Sequence, residues 1–226
     1  MNRFFAVEKQ GNKLYFDEKT LKHFKVLRLE NKEIIGVYEG KFYLSGLNGN
    51  IAEIKEEINE NHEFNFKVKL GVSLIKLERF EWLIEKAVEL GATEIIPFIS
   101  THTNSEIAKF KFNKKIDRFN EIMFNAAQQS YRNISIKLSK LRTFDEIINE
   151  DAKIKIIAHE KVDNSFIEQK INKDVLFLIG PEGGFSDTEV EKAIGKGFQC
   201  VSLGKRILRA ETAAIYLLSQ IEVGNE

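Results

Sequence analysis

The spacing of apolar residues changes character near residue 70. From 1 to 66, short runs rich in Phe, Tyr, Val and Ile are broken by polar turns, which is how strands read. Ile34–Tyr38, then Glu39-Gly40, then Lys41–Leu44 gives a hairpin signal. Several short strands predict a small antiparallel barrel. From Lys69 the two periods alternate. The pattern predicts a strand over 68–75, a helix over 78–90 closed by Gly91, a strand over 94–99, a helix over 114–129 and strands over 154–158 and 175–179. Alternating β and α predicts an α/β layer built on a parallel sheet. No internal repeat or low-complexity linker interrupts the chain, so the predicted division is tight: one domain over 1–68, a second over 69–226.

Two turns in the second region carry candidate chemistry. The first is Leu178-Ile179-Gly180-Pro181-Glu182-Gly183-Gly184-Phe185-Ser186, at the end of the apolar run Val175–Ile179. Proline stiffens the turn and restricts Gly180 before it. Gly183 and Gly184 leave backbone groups uncovered, so a ligand can approach closely. Ser186 and Glu189 have capping-box spacing, which predicts a helix from Asp187 to Gly195 or Gly197. The second turn, Leu203-Gly204-Lys205-Arg206-Ile207-Leu208-Arg209, follows a predicted strand at 200–203 and opens into a helix over 210–219 with an apolar face of Ala213, Ala214, Leu217 and Leu218. Arg209 and Glu211 fall in its first turn. A cation there opposes the helix dipole. That favours a specific task for Arg209, such as holding an anionic partner; an ion pair with Glu211 or Glu182 is the structural alternative. Two such turns can lie side by side at the C-terminal edge of a parallel sheet, where open α/β folds take ligands. Ligand-free tight turns are the plainer reading.

Known nucleotide loops do not fit. No Gly-x-x-x-x-Gly-Lys-Ser/Thr run exists, and Gly180 to Gly184 breaks the dinucleotide spacing, with Cys200 where an acidic residue belongs about 20 positions on. A neutral or cationic ligand held by backbone groups suits these turns better than a phosphate. With one cysteine and histidines scattered at 23, 62, 102 and 159, no zinc ligand set has usable spacing, so no metal is expected. No apolar run approaches the roughly 18 residues of a membrane span. The start Met-Asn-Arg-Phe-Phe lacks an apolar export core, so a cytoplasmic protein is expected.

Charge alters the picture through its distribution. Lysine and arginine together number 34, as do aspartate and glutamate, so the net charge is zero. Yet Lys19, Lys22, Lys25 and Arg28 recur every three residues, a basic stripe if that stretch is helical. Lys109, Lys111, Lys114, Lys115 and Arg118 form a second cluster, and Lys137, Lys140 and Arg142 a third. Such asymmetry can build a nucleic-acid face on a neutral chain; solvated surface is the alternative for each cluster.

Read together, four ordered segments resemble the ribosomal RNA small subunit methyltransferase E family, of the SPOUT class. They are His23-Phe-Lys-Val-Leu-Arg28; Lys86-Ala-Val-Glu-Leu-Gly91 with Ile95-Ile-Pro97; Ala126-Ala-Gln-Gln-Ser-Tyr-Arg132; and the two turns themselves. The chain departs from the family pattern at Tyr131, where a small residue is usual, and at 133–137, which lacks the usual proline. It departs again at Thr101-His102-Thr103, where a Ser-Arg pair is usual. The resemblance implies a PUA-like β-barrel that helps hold RNA, followed by a SPOUT domain ending in a deep trefoil knot, and a homodimer packed through the final helix. It implies S-adenosylmethionine bound by backbone groups around Leu178, Gly180, Gly183, Gly184, Leu203, Gly204, Ile207 and Leu208. The implied reaction is methylation of a uridine of 16S ribosomal RNA at ring nitrogen 3, within the small ribosomal subunit. Arg209 and Arg132 are then candidates for stabilising oxyanion charge or contacting phosphate. Glu211 is a candidate for accepting the proton or orienting Arg209, and Lys22, Lys25 and Arg28 for contacting RNA. Two rival readings are a non-catalytic RNA-binding or ribosome-assembly protein of the same fold and a nucleotide-dependent oxidoreductase.

Overall fold

The computed structural model describes residues 1–104, 106–160, 167 and 170–222, apart from the side chains at 108 and 109. The chain divides into two compact units: Met1–Glu63 with Ala127–Ser135, and Phe64–Ala126 with Ile136–Glu226.

The first unit is a six-stranded sheet. Its strands are β1 (Arg3–Phe5), β2 (Glu8–Gln10), β3 (Lys13–Tyr15), β4 (Glu33–Tyr38), β5 (Lys41–Asn48) and β6 (Ile51–Ile58), in the order β1-β4-β5-β6-β3-β2. The β4–β5 hairpin turns through Glu39 and Gly40, both at positive φ (48° and 79°). That mirror-image turn matches the natural twist of paired strands. The sheet is not purely antiparallel as expected: β1 pairs with β4 in parallel. No β1–β2 ladder closes a ring. Instead β1 runs into β2 through Ala6 and Val7, whose N–H groups donate to Val37 and Tyr15. The two ends of the sheet are thus successive pieces of one kinked strand.

A helix that the strand-rich pattern concealed, α1 (Glu18–Val26), lies between β3 and β4. Asp17 caps it by accepting the Thr20 N–H at 2.8 Å. Its Phe24 packs edge-on against Phe4 and Phe16, in a core shared with Leu14, Ile34 and Leu47. Lys19, Lys22 and Lys25 therefore do ride a helix, but Arg28 lies beyond its end, in the left-handed region (φ 52°). The returning segment 127–135 is fixed by buried polar groups: Asn133 donates its amide to Gly40 and Glu60 carbonyls, and Arg132 binds Glu63.

The second unit is built on a wholly parallel sheet of β7 (Val68–Ser73), β8 (Glu94–Ile99), β9 (Arg142–Thr143), β10 (Ile154–Ala158), β11 (Val175–Ile179) and β12 (Gln199–Val201), in the order β12-β10-β11-β7-β8-β9. Around it run α2 (Leu77–Glu89), α3 (Ile116–Gln129, its last residues counted with the first unit), α4 (Phe144–Ile147), α5 (Asp187–Gly195) and α6 (Ala210–Leu218). Every residue of β11 is buried, as a continuous Val-Leu-Phe-Leu-Ile run requires of a central parallel strand. One face packs Leu176 and Leu178 against Phe98, Phe144, Phe185 and Phe198. Each such side chain contributes roughly 1.5–3 kcal/mol on burial. Because β10 lies between β11 and β12, the two glycine turns flank its C-terminal end rather than touching side by side.

Candidate functional site

A cavity of about 310 Å³ opens at the C-terminal ends of β10, β11 and β12. Ile179, Gly180, Glu182 and Gly184 of the first turn line it on one side, and the whole run Leu203 to Arg209 on the other. Ala158, His159 and Glu160, which follow β10, lie between them, and Arg79 of α2 and Ala213 of α6 complete the wall.

Local chemistry shapes the first turn. The Gly184 N–H donates to Pro181 at 2.9 Å, and Gly184 adopts φ +70°, which a side chain tolerates poorly. A Cβ on Gly180 would sit 3.2 Å from the Phe185 ring. Ser186 and Glu189 form the predicted capping box, so α5 starts at Asp187 and ends at Gly195. Glu189 is buried, and its other oxygen accepts the Thr101 N–H at 2.8 Å, tying the helix start to the loop after β8. In the second turn Gly204 takes φ +105°, with open space where a Cβ would point. Conformation, not crowding, selects glycine there.

Six of the eight residues expected around the cofactor come together on this cavity: Gly180, Gly184, Leu203, Gly204, Ile207 and Leu208. Leu178 and Gly183 do not line it. Leu178 points into the sheet core because side chains alternate along β11 and Ile179 takes the cavity side. Gly183 faces His102, whose Cβ would lie 3.0 Å from a Cβ at that position.

Arg209 is the N-cap residue of α6, exposed, and without an ion pair among the described residues. The alternatives of a pair with Glu182 or Glu211 are not realised. Arg79 serves both carboxylates, with Nη1 3.8 Å from Glu182 and Nε 4.0 Å from Glu211. Glu182 also accepts the Lys76 N–H at 3.2 Å. Glu211 is buried, and its second oxygen has no hydrogen-bond partner among the described residues. Arg132 lies in the first unit, only 3% exposed, where its guanidinium binds the Glu63 carboxylate through Nε and Nη2. Lys22, Lys25 and Arg28 are exposed on the first unit, where Lys25 and Arg28 also edge a hollow floored by Leu21, Phe24 and Leu47.

Residues 62–222 match the family described as RNA methyltransferase domain. Over 225 residues the chain is 41% identical to the ribosomal RNA small subunit methyltransferase E of Mesomycoplasma hyopneumoniae, covering 97% of this chain and 98% of that protein. Its identity to the Bacillus subtilis protein of the same name is 34%, over 76% of this chain and 71% of that one. The chain belongs to the ribosomal RNA small subunit methyltransferase E family. A crystal structure of the family member from Neisseria gonorrhoeae, bound to S-adenosyl methionine, is 28% identical, with a TM-score of 0.86 over 97% of this chain and 95% of that one.

Sequence reasoning missed three features of the cavity and its turns. Ala158–Glu160 went unnoticed because no glycine follows β10 to mark a ligand turn. Arg79 was hidden among the charges of an amphipathic helix. His102, in a segment that departs from the family pattern, touches the first turn through space, across 81 residues of chain. Among the described residues no three His, Cys, Asp or Glu gather to hold a metal ion, and no helix is long and apolar enough to cross a membrane.

Proposed function

We propose that this protein transfers a methyl group from S-adenosylmethionine to ring nitrogen 3 of a uridine in 16S ribosomal RNA, acting on the small ribosomal subunit. The observation that carries the reading is the convergence of two glycine-bearing turns on one cavity beyond β10, β11 and β12. Its volume is within the range of small-molecule sites, roughly 300–1,000 Å³. The positive φ angles of Gly184 and Gly204 let the backbone turn tightly where it borders the cavity. Gly180, Gly184, Leu203, Gly204, Ile207 and Leu208 would hold the cofactor, with Leu178 and Gly183 shaping the first turn from behind.

Bound there, the cofactor supplies a methyl group on a positively charged sulfonium that departs without further activation. The chain must do the rest. The uridine N–H is weakly acidic, and the neutral nitrogen is a poor nucleophile. The proton must leave, and negative charge then spreads onto the two carbonyl oxygens. Arg209, exposed at the cavity rim with no ion pair among the described residues, is the cation for that charge or for the target's phosphate. Glu211 is the proposed proton acceptor only if it is freed from Arg79; its burial beside that guanidinium better suits it to holding Arg79 at the cavity wall. Arg132, spent on Glu63, has a folding task in this reading.

The finer architecture is part of the same proposal. The first unit, domain 1–68 in the sequence reading, acts as a PUA-like barrel that holds RNA with Lys22, Lys25 and Arg28. The second, domain 69–226, is a SPOUT domain with a trefoil knot through the cofactor turns. Two chains associate through α6, on which Tyr216 is 45% exposed, and the enzyme works in the cytoplasm. Isothermal titration with S-adenosylmethionine, NAD and ATP tests the class: binding of the first alone is expected. Binding of NAD or ATP in its place, or of none, would contradict it.

A further inference from the structure

The first glycine turn owes its shape to a side chain outside both turns. His102 directs Nδ1 at two backbone carbonyls, 3.1 Å from that of Gly183 and 3.2 Å from that of Gly184. Carbonyl oxygens only accept, so Nδ1 must carry the hydrogen and share it between them. The Gly184 N–H is held from the other side by Pro181. Both peptide groups of an otherwise permissive Gly-Gly pair are therefore pinned.

The loop that presents His102 is itself fixed. Ser73, Ser100 and Thr103 join hydroxyls at 2.7–3.1 Å, the Ser100 N–H donates to the Thr103 hydroxyl at 2.9 Å, and the Thr101 N–H binds buried Glu189. Glu189 also closes the cap of α5, which the glycine turn runs into. The imidazole is the last link between this rigid loop and the turn. Two adjacent glycines have more conformational freedom to lose than any other pair. Ordering them before the ligand arrives lowers the cost of binding.

We infer that His102 is a positioning residue: its Nδ1–H holds the Gly183 and Gly184 carbonyls so that the first turn is preformed for the cofactor. The inference rests on the cofactor reading above. It assigns His102 no contact with the reacting atoms. Losing the shared hydrogen bond should therefore weaken cofactor binding without slowing the chemical step.

The test uses the full-length protein with S-adenosylhomocysteine as calorimetric probe, and the variants His102→Leu and His102→Asn. Asparagine places an amide N–H at the position of Nδ1; leucine fills space without a donor. His102 is exposed, so both should melt close to wild type. We expect the leucine variant to bind about three- to tenfold more weakly, the worth of one hydrogen bond. The asparagine variant should recover most of the loss. In methyl transfer the leucine defect should lie in KM for the cofactor, with kcat near wild type. Nitrogen-15 NMR of the imidazole should report the Nδ1–H tautomer. Wild-type affinity in His102→Leu, equal weakening in both variants, or an Nε2–H tautomer would overturn the inference while leaving the cofactor reading intact. A wild type that binds no probe would overturn both.

Discussion

Arg209 places a cation at a helix start, next to a glycine turn, where its charge opposes the dipole. The structure leaves it exposed and without an ion pair among the described residues. Arg209→Ala should leave cofactor affinity within about twofold. It should cut the single-turnover methylation rate by about 10²–10³, the usual effect of deleting one transition-state donor. A near-normal rate would remove Arg209 from the mechanism. The pairing of Arg132 with Glu63 had no sequence signal, because the partner lies 69 residues away and no local pattern records such a pairing. Arg132→Ala leaves the Glu63 carboxylate, itself only 13% exposed, without its cation. Removing one member of a buried pair costs about 3–5 kcal/mol. Denaturant unfolding should show that loss, while cofactor binding by the folded variant stays unchanged. Unaltered stability would return Arg132 to the list of functional cations.

Elements were legible where their signals are local. The capping box of Ser186 and Glu189, the Glu39-Gly40 hairpin, and the strands at 94–99 and 154–158 all stand where the pattern put them. Helix α1 was missed because its 9 residues are flanked by aromatic strands and Asp17 gave the only start signal. The reasons for each glycine needed coordinates. Gly204 is chosen for its φ of +105°, whereas Gly183 has no left-handed φ and is chosen for space beside His102. Gly204→Val should therefore strain the backbone by about 1–3 kcal/mol and abolish cofactor binding. Gly183→Val should weaken binding by pushing His102 away from the turn. Isothermal titration of folded variants distinguishes the two. Wild-type affinity in both would dismiss the turns as the cofactor site.

At the scale of the whole molecule, the chain forms two units, and the return of 127–135 to the first had no signal in the sequence. Nothing in an α-helical run announces that its continuation packs with residues 60 or more positions earlier. Charge behaved similarly. In the second basic cluster, Lys111 pairs with Glu106, and Lys115 and Arg118 share Glu81; in the third, Arg142 binds Glu150. Lys22, Lys25 and Arg28 have no ion pair among the described residues, and all three are exposed. In the proposed function, the α1 surface is the RNA face. Reversing Lys22 and Lys25 to glutamate should weaken ribosomal RNA binding and flatten its salt dependence by about one to two phosphate contacts. S-adenosylmethionine affinity should not change. Binding unmoved by both salt and charge reversal would make the stripe ordinary surface. The proposed reaction is tested most directly by transfer of label from methyl-labelled S-adenosylmethionine to small ribosomal subunits lacking the modification, followed by nucleoside analysis of the 16S RNA. The predicted result is a single labelled product, uridine methylated at ring nitrogen 3, lost with Gly204→Val. No transfer by folded, cofactor-binding protein, or label on a different base or atom, would contradict it.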